Sequence, residues 1–250
     1  MKFTVLYFDT LDSTNTEALN QARGGAPEGL CIVAAEQTAG RGRHGRNWVS
    51  AKGSGLYVSY VLRPKLPPRF MTLITLMAGV AVSKTLEDIG IANDIKWVND
   101  ILVNEKKICG ILSEAAETPM GQAVIVGIGV NLKSVNFPPG LADSATSIEA
   151  EAPSILGLAE ILEQLSHNLG HFYHLLQSDD GGNAIIDEWR RRSTYFSGKA
   201  VRAFSGGDVV EGTTDGLNAY GALRIRKADG TLYTVHAGDI EKLRPADDLR

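Results

Sequence analysis

The chain has 250 residues, 44% of them hydrophobic and 22% charged, a balance that supports a sizeable core and excludes disordered, collagen-like and disulfide-stapled mini-protein classes. Its 29 acidic and 25 basic residues give a formal charge of −4, so no chain-wide positive field exists to hold a nucleic-acid backbone or an anionic membrane, and any anion site has to be local. Apolar runs such as residues 123–130 fall short of the ~20 residues of a membrane helix, no signal-peptide core precedes Asp9, and the two cysteines, Cys31 and Cys109, form no CxxC pair; these features read as a cytoplasmic protein with two small buried thiols.

In chain order, residues 3–8 alternate as an opening strand, and a polar stretch leads into a helix over 14–22, with Thr14 and Glu17 at capping-box spacing. Residues 30–35 read as a second strand that delivers the chain into a loop, QTAGRGRHGRNW at 37–48, before a strand at 56–62. After the turn RPKLPP comes an apolar helix at 71–87, then strands at 101–103, 107–114 and 123–130, the first two joined through NEKK as a hairpin. A proline-glycine loop at 137–140 precedes helices at 154–176 and 183–192. From residue 197 the texture changes to short alternating segments broken by glycine, which predicts a small β-barrel close to the lower size limit for independent folding. The chain therefore divides into a larger domain, 1–195, and a barrel, 196–250, packed on it; no internal repeat or heptad run is present.

Three segments carry chemistry. Residues 40–46, GRGRHGR, place three glycines and three arginines directly after a buried strand of an acidic protein. Glycine lets backbone amides approach an anion and arginine supplies paired donors for carboxylate or phosphate, whereas a plain solvated loop explains glycine and charge but not the single sign. GxxxxGK[ST] is absent, which rules out a P-loop. The second segment, KWVND at 96–100 followed by KKICGIL at 106–112, interrupts apolar strands with Lys96, Asp100 and Lys107. Charge at a strand end is costly unless paired or used, so the readings are a ligand site or a surface ion pair between Lys96 and Asp100. In the third, GIGVN at 127–131, a strand loses its side chains as it ends, the mark of a close approach by backbone or ligand. His167, His171 and His174 share a helix face opposite the stripe Leu158, Ile161, Leu165, Leu169, Phe172 and Leu176; a solvated face accounts for them better than zinc.

GRGRHGRNW at 40–48, KWVND, KICGIL at 107–112 and GIGVN, in this order and approximate spacing, resemble the biotin protein ligases over about residues 5–135 and more weakly over the barrel, with Val98 where the family usually has proline. The resemblance implies an α+β fold: a mixed central sheet flanked by helices, of the class II aminoacyl-tRNA synthetase and biotin synthetase type, with a C-terminal SH3-like barrel. It implies an ATP-dependent enzyme that forms biotinyl-AMP and then transfers biotin to a lysine of a biotin carboxyl carrier protein domain, with Mg²⁺ as cofactor. Ser13, Thr14, Asn15 and Gln37 would hydrogen-bond the ureido ring, whose neutral donors and acceptor suit hydroxyl and amide groups. Ser13 and Thr14 can equally be a helix cap. Arg41, Gly42 and Arg43 would close over the biotin carboxylate and α-phosphate, with Lys107 beside the reacting oxygens and Gly110 at the biotin site; Lys107, Arg41 and Arg43 form the catalytic set. Trp48 would pack near adenine. Gly40, Arg46, Lys96, Asn99, Asp100, Asn131 and, from IEKLRP, Arg244 would contact ATP or its phosphates, Asp100 also being the metal candidate. The family's N-terminal winged helix is expected to be absent, as the chain begins at the first catalytic strand, so no nucleic-acid partner is expected, and either a monomer or a homodimer fits. The alternatives are a lipoate or octanoyl ligase or transferase of the same superfamily and, more remotely, a nucleic-acid-binding module using the arginine loop.

Overall fold

The alternating stretches of the sequence become the strands of two sheets in the computed structural model, which describes residues 1–134, 137, 140–152, 157–205, 207–236 and 238–242. β1 (Thr4–Leu11) runs parallel to β2 (Leu30–Gln37), and the crossover that a parallel pair requires is α1 (Thr14–Arg23). The sheet continues antiparallel through β3 (Gly55–Leu62), β7 (Gly121–Asn131), β6 (Lys106–Thr118), β5 (Asp100–Val103) and β4 (Asp94–Lys96), giving the order β1-β2-β3-β7-β6-β5-β4. β5 and β6 meet in the expected hairpin, whose turn residues Asn104 and Glu105 both have positive φ.

Every residue of β3 is buried because helices cover both faces of the sheet. On one face Ala18 and Ala22 of α1 pack on Ile32, Val61 and Ile125. On the other, α2 (Met71–Asp88), α4 (Leu158–Leu176) and α5 (Gly181–Arg191) share one core with Tyr60 and Leu62. With the turn before it, α2 is long and apolar enough to cross a membrane by composition, yet it is a core helix: Leu73, Ile74, Leu76 and Met77 are at most 1% exposed, each burial contributing about 1.5–3 kcal/mol. α4 turns its apolar stripe inward and leaves His167, His171 and His174 exposed, as the wheel predicts. Both thiols are buried, and burial pushes Cys31 up to about 12 and raises Cys109 as well.

One local expectation changes, and two short elements were not foreseen. Ser13, not Thr14, occupies the position before α1 and makes no side-chain cap; Glu17 accepts from Gln21, so the capping box does not form. Thr14 is already helical and its hydroxyl is committed to Gln37. The sequence reading missed β4 and the short α3 (Ile148–Glu151), which are too brief to show a period. The expected beginning of α4 at 154 lies outside the described residues.

Beyond α5, β8 (Ser197–Ser205), β9 (Asp208–Leu217), β10 (Leu223–Arg226), β11 (Leu232–Val235) and β12 (Asp239–Lys242) form an SH3-like antiparallel sheet, ordered β11-β10-β9-β8-β12. It packs on the first sheet and its helices: Trp97 Nε1 donates to Gly221 O at 3.0 Å, and the Phe70 and Tyr220 rings lie 5.2 Å apart. The Trp97–Val98 peptide is cis.

Candidate active site

Three glycines prepare the floor of the site. Gly110 of β6 pairs with Gly129 of β7, and the Trp48 indole lies across both: a Cβ would come within 2.9 Å of the ring at Gly110 and 2.5 Å at Gly129. At Gly127 a Cβ would collide with the Asn15 amide. A bare stretch of sheet is thus what lets an indole and an amide lie on the backbone, and over it opens a cavity of about 480 Å³, a size suited to a small-molecule ligand.

One wall is neutral. Ser13, Thr14 and Asn15, at the start of α1, are buried. Gln37 Oε1 accepts from Thr14 N at 2.8 Å and Thr14 Oγ1 at 3.1 Å, while Gln37 Nε2 donates to Ser50 Oγ at 2.7 Å. Ser59 Oγ lies 2.8 Å from Thr14 Oγ1 and 2.6 Å from Asn15 Oδ1. Asn15 Nδ2 donates to Leu112 O at 3.2 Å and Glu114 Oε2 at 2.8 Å. Such a wall offers fixed hydroxyl and amide groups without a net charge at its centre.

A second part of the lining is cationic. The arginine loop folds through a 3₁₀ turn, Arg43–Gly45, in which His44 and Gly45 take φ of 53° and 72°; glycine adopts such a value without a Cβ penalty. Arg41 donates to both oxygens of Glu114, at 3.0 and 2.7 Å. Arg43 donates to Asn99 Oδ1 at 3.1 Å and reaches Asp239 of β12 at 3.5 Å, and Asp239 also pairs with Arg46 and lies 4.0 Å from His44. Burial lowers the Arg43 pKa and Arg46 adds to that, while Asp239 and Asp100 oppose it; a guanidinium remains a cation at neutral pH regardless. Lys107 Nζ lies 2.6 Å from Asp100 and 5.3 Å from the centre of the Trp48 ring. The surface reading of the lysines is thereby corrected: Asp100 pairs with Lys107, and Lys96 lines the cavity without a side-chain partner among the described residues.

The backbone of Lys107 is fixed as well. Its N–H donates to Ser144 O at 2.8 Å, and its carbonyl accepts from Thr146 N at 3.0 Å and Asn131 Nδ2 at 3.3 Å. Asn131 Nδ2 also donates to Thr146 O at 3.0 Å, and Asn99 Nδ2 donates to Ile111 O at 2.9 Å.

Of the residues expected from sequence, Ser13, Thr14, Asn15, Gln37, Arg41, Gly42, Arg43, Arg46, Trp48, Lys96, Asn99, Asp100, Lys107, Gly110 and Asn131 line this cavity. Gly40 stands behind it, where its carbonyl accepts from Trp48 N at 2.9 Å and where a Cβ would collide with Trp48 O. Arg244 lies outside the described residues. Sequence reasoning missed Ser59, Glu114 and Asp239. Ser59 left a trace, a lone serine in the run LYVSYVL; Asp239 left none, since only the packing of the second sheet brings it to the loop.

Residues 7–131 match the biotin/lipoate A/B protein ligase family, and residues 196–243 match the biotin protein ligase C terminal domain. The bifunctional ligase/repressor BirA of Bacillus subtilis is 43% identical over 241 residues, 95% of this chain and 73% of the relative. The biotin--[acetyl-CoA-carboxylase] ligase of Paracoccus denitrificans is 34% identical over 88% of this chain and 92% of its own length. Among solved structures, the biotin protein ligase from Aquifex aeolicus in complex with biotin and ATP superposes with a TM-score of 0.83 at 26% identity, covering 96% of this chain and 99% of that one.

Proposed function

Because the chain belongs to the biotin/lipoate A/B protein ligase family, as an ATP-dependent biotin protein ligase, we propose that this cavity activates biotin as its adenylate and passes the acyl group to a lysine of a carrier protein. The observation that carries the assignment of the cavity is the meeting, in one space of about 480 Å³, of a neutral hydrogen-bonding wall with the guanidinium and ammonium groups of Arg43, Arg46 and Lys107. The two halves suit the two ends of the reaction: an uncharged cyclic urea on one side, a carboxylate facing a triphosphate on the other.

In the first step a biotin carboxylate oxygen bonds to the α-phosphorus of ATP and pyrophosphate leaves. In the second, the carrier lysine's neutral amine bonds to the acyl carbon, AMP leaves with the electron pair, and the amine loses its proton. Both partners in the first step are anions, so the barrier contains their repulsion. Arg41, Arg43 and Lys107 lower it by neutralising charge shared between carboxylate and phosphate, and the fixed backbone of Lys107 keeps its ammonium in place. Ser13, Thr14, Asn15 and Gln37 hold the ureido ring; Gly110 gives Trp48 and Lys107 room against the sheet. Arg46, Lys96, Asn99 and Asn131 serve the nucleotide, with Trp48 beside its base and Gly40 supporting the loop, and Arg244 joins from the barrel. Arg43 and Arg46 share Asp239, and Lys107 holds Asp100; a polyphosphate competes for these same donors.

Magnesium fits this donor set. Asp100 presents carboxylate oxygen in the cavity and would hold the ion, since magnesium takes hard oxygen donors. When bound it supplies further neutralisation of the polyphosphate. The catalytic unit is taken as residues 1–195 and the barrel as 196–250, and the enzyme works in the cytoplasm on a biotin carboxyl carrier domain.

The test is ATP–pyrophosphate exchange by purified protein with magnesium, in parallel with biotin and with lipoate. Exchange driven by biotin alone is expected; exchange driven by lipoate would transfer the site to the sister chemistry.

A further inference from the structure

We propose that Glu114 is a positioning residue that couples the neutral ring wall to the arginine loop; the proposal rests on the biotin-adenylating reading of the cavity. Glu114 stands on β6 four residues beyond the floor glycine Gly110. One of its oxygens accepts from both Arg41 Nη2, at 2.7 Å, and Asn15 Nδ2, at 2.8 Å; the other accepts from Arg41 Nη1 at 3.0 Å. It is thus a bond shared between the start of α1 and the first arginine of the loop.

The connections continue on both sides. From Asn15 they pass through Ser59, Thr14, Gln37 and Ser50, whose hydroxyl donates to the Trp48 carbonyl at 3.1 Å. From Arg41 the backbone bridges directly to Asn47, closing the neck of the loop. The hydrogen-bonded path therefore leaves the loop at Arg41, rounds the ring wall and returns to the loop at Trp48. The Arg41 and Glu114 side chains are 40% and 30% exposed, and an ion pair so open to water adds little to stability. What a carboxylate adds is direction: two oxygens match the planar fork of the guanidinium and fix the angle of Arg41 over the cavity, which one amide oxygen cannot do. The same carboxylate holds the Asn15 amide with its Oδ1 toward Ser59, so occupation of the ring wall and placement of Arg41 are felt through one side chain.

Glu114→Gln keeps the size of the residue and an acceptor for Asn15 but removes the fork for Arg41. In biotin-dependent ATP–pyrophosphate exchange this variant is expected to raise the KM for biotin about tenfold while kcat stays within about twofold. Escape of the activated acyl group, read as labelling of bystander amines, should rise with it. On an Arg41→Ala background, Glu114→Gln should raise the KM for biotin little further, since the guanidinium it would orient is already gone. Glu114→Asp retains both oxygens on a shorter reach and should fall between wild type and Glu114→Gln; it decides the matter if thermal melting shows that the Gln variant does not fold. Wild-type KM and leakage in both variants, or full additivity with Arg41→Ala, would overturn the role of Glu114. Absence of biotin-driven exchange in the wild type would instead overturn the reading of the cavity.

Discussion

Lys107 shows how much of the site is decided by single side chains. Its backbone is clamped from three directions, its ammonium sits between Asp100 and the Trp48 ring, and the facing Gly110 leaves it room, a Cβ there falling 3.1 Å from Nζ. Lys107→Ala removes a positive charge from the cavity, where the proposed reaction needs it, and leaves the clamp intact, because the clamp holds only the main-chain atoms of residue 107. Exchange of pyrophosphate into ATP should fall by about a hundredfold or more with the melting midpoint nearly unchanged, and an unaltered exchange rate would take Lys107 out of the chemistry. This residue was legible in the sequence because a lysine opening an apolar strand has no cheap structural excuse. Glu114 was not. It stands in SEAAET at the polar end of a long strand, where a carboxylate needs no explanation until Arg41, 73 residues away, is seen to meet it.

At the scale of elements, the arginine loop is held by carboxylates from two different sheets, Glu114 on β6 and Asp239 on β12. The loop's composition is what raised the expectation of an anion site, and its place after β2 was readable from strand periodicity; its anchorage was not, since pairing between distant elements leaves no local period. The same limit hid β4, whose three residues carry no pattern, although Asp94 at its start accepts from Thr194 N at 2.8 Å and so ties the strand to the approach to β8. Asp239 gathers Arg43, Arg46 and His44, so removing it should loosen the middle of the loop. Asp239→Ala is expected to speed tryptic cleavage after Arg43 and Arg46 and to raise the KM for ATP about tenfold, with biotin and ATP together restoring protection. Cleavage at the wild-type rate would mean that the barrel carboxylate does not restrain the loop.

Across the whole molecule, the two sheets share one buried core. A single buried cluster runs from Leu73 and Met77 of α2 through Trp189 and Tyr195 to Val201, Ala203, Val210 and Ile240 of the second sheet. Gly221, in the loop between β9 and β10, seats closely against α2, where a Cβ would come within 2.8 Å of Leu76, and its carbonyl accepts from Trp97. The sequence revealed two textures and the change between them, and the expectation that a barrel so small would lean on its neighbour followed from its size. Which residues it leans on depended on α2, whose all-round apolarity marks burial without naming the partner. Unfolding one sheet would expose the apolar surface that supports the other, so calorimetry should give a single transition with matching calorimetric and van't Hoff enthalpies. Because the cavity takes Asp239 from one sheet and Lys107 from the other, biotin and ATP together should raise the midpoint of that same transition without splitting it. Two resolved transitions, with only the first moved by ligand, would mean that the second sheet folds on its own and meets the arginine loop only by docking.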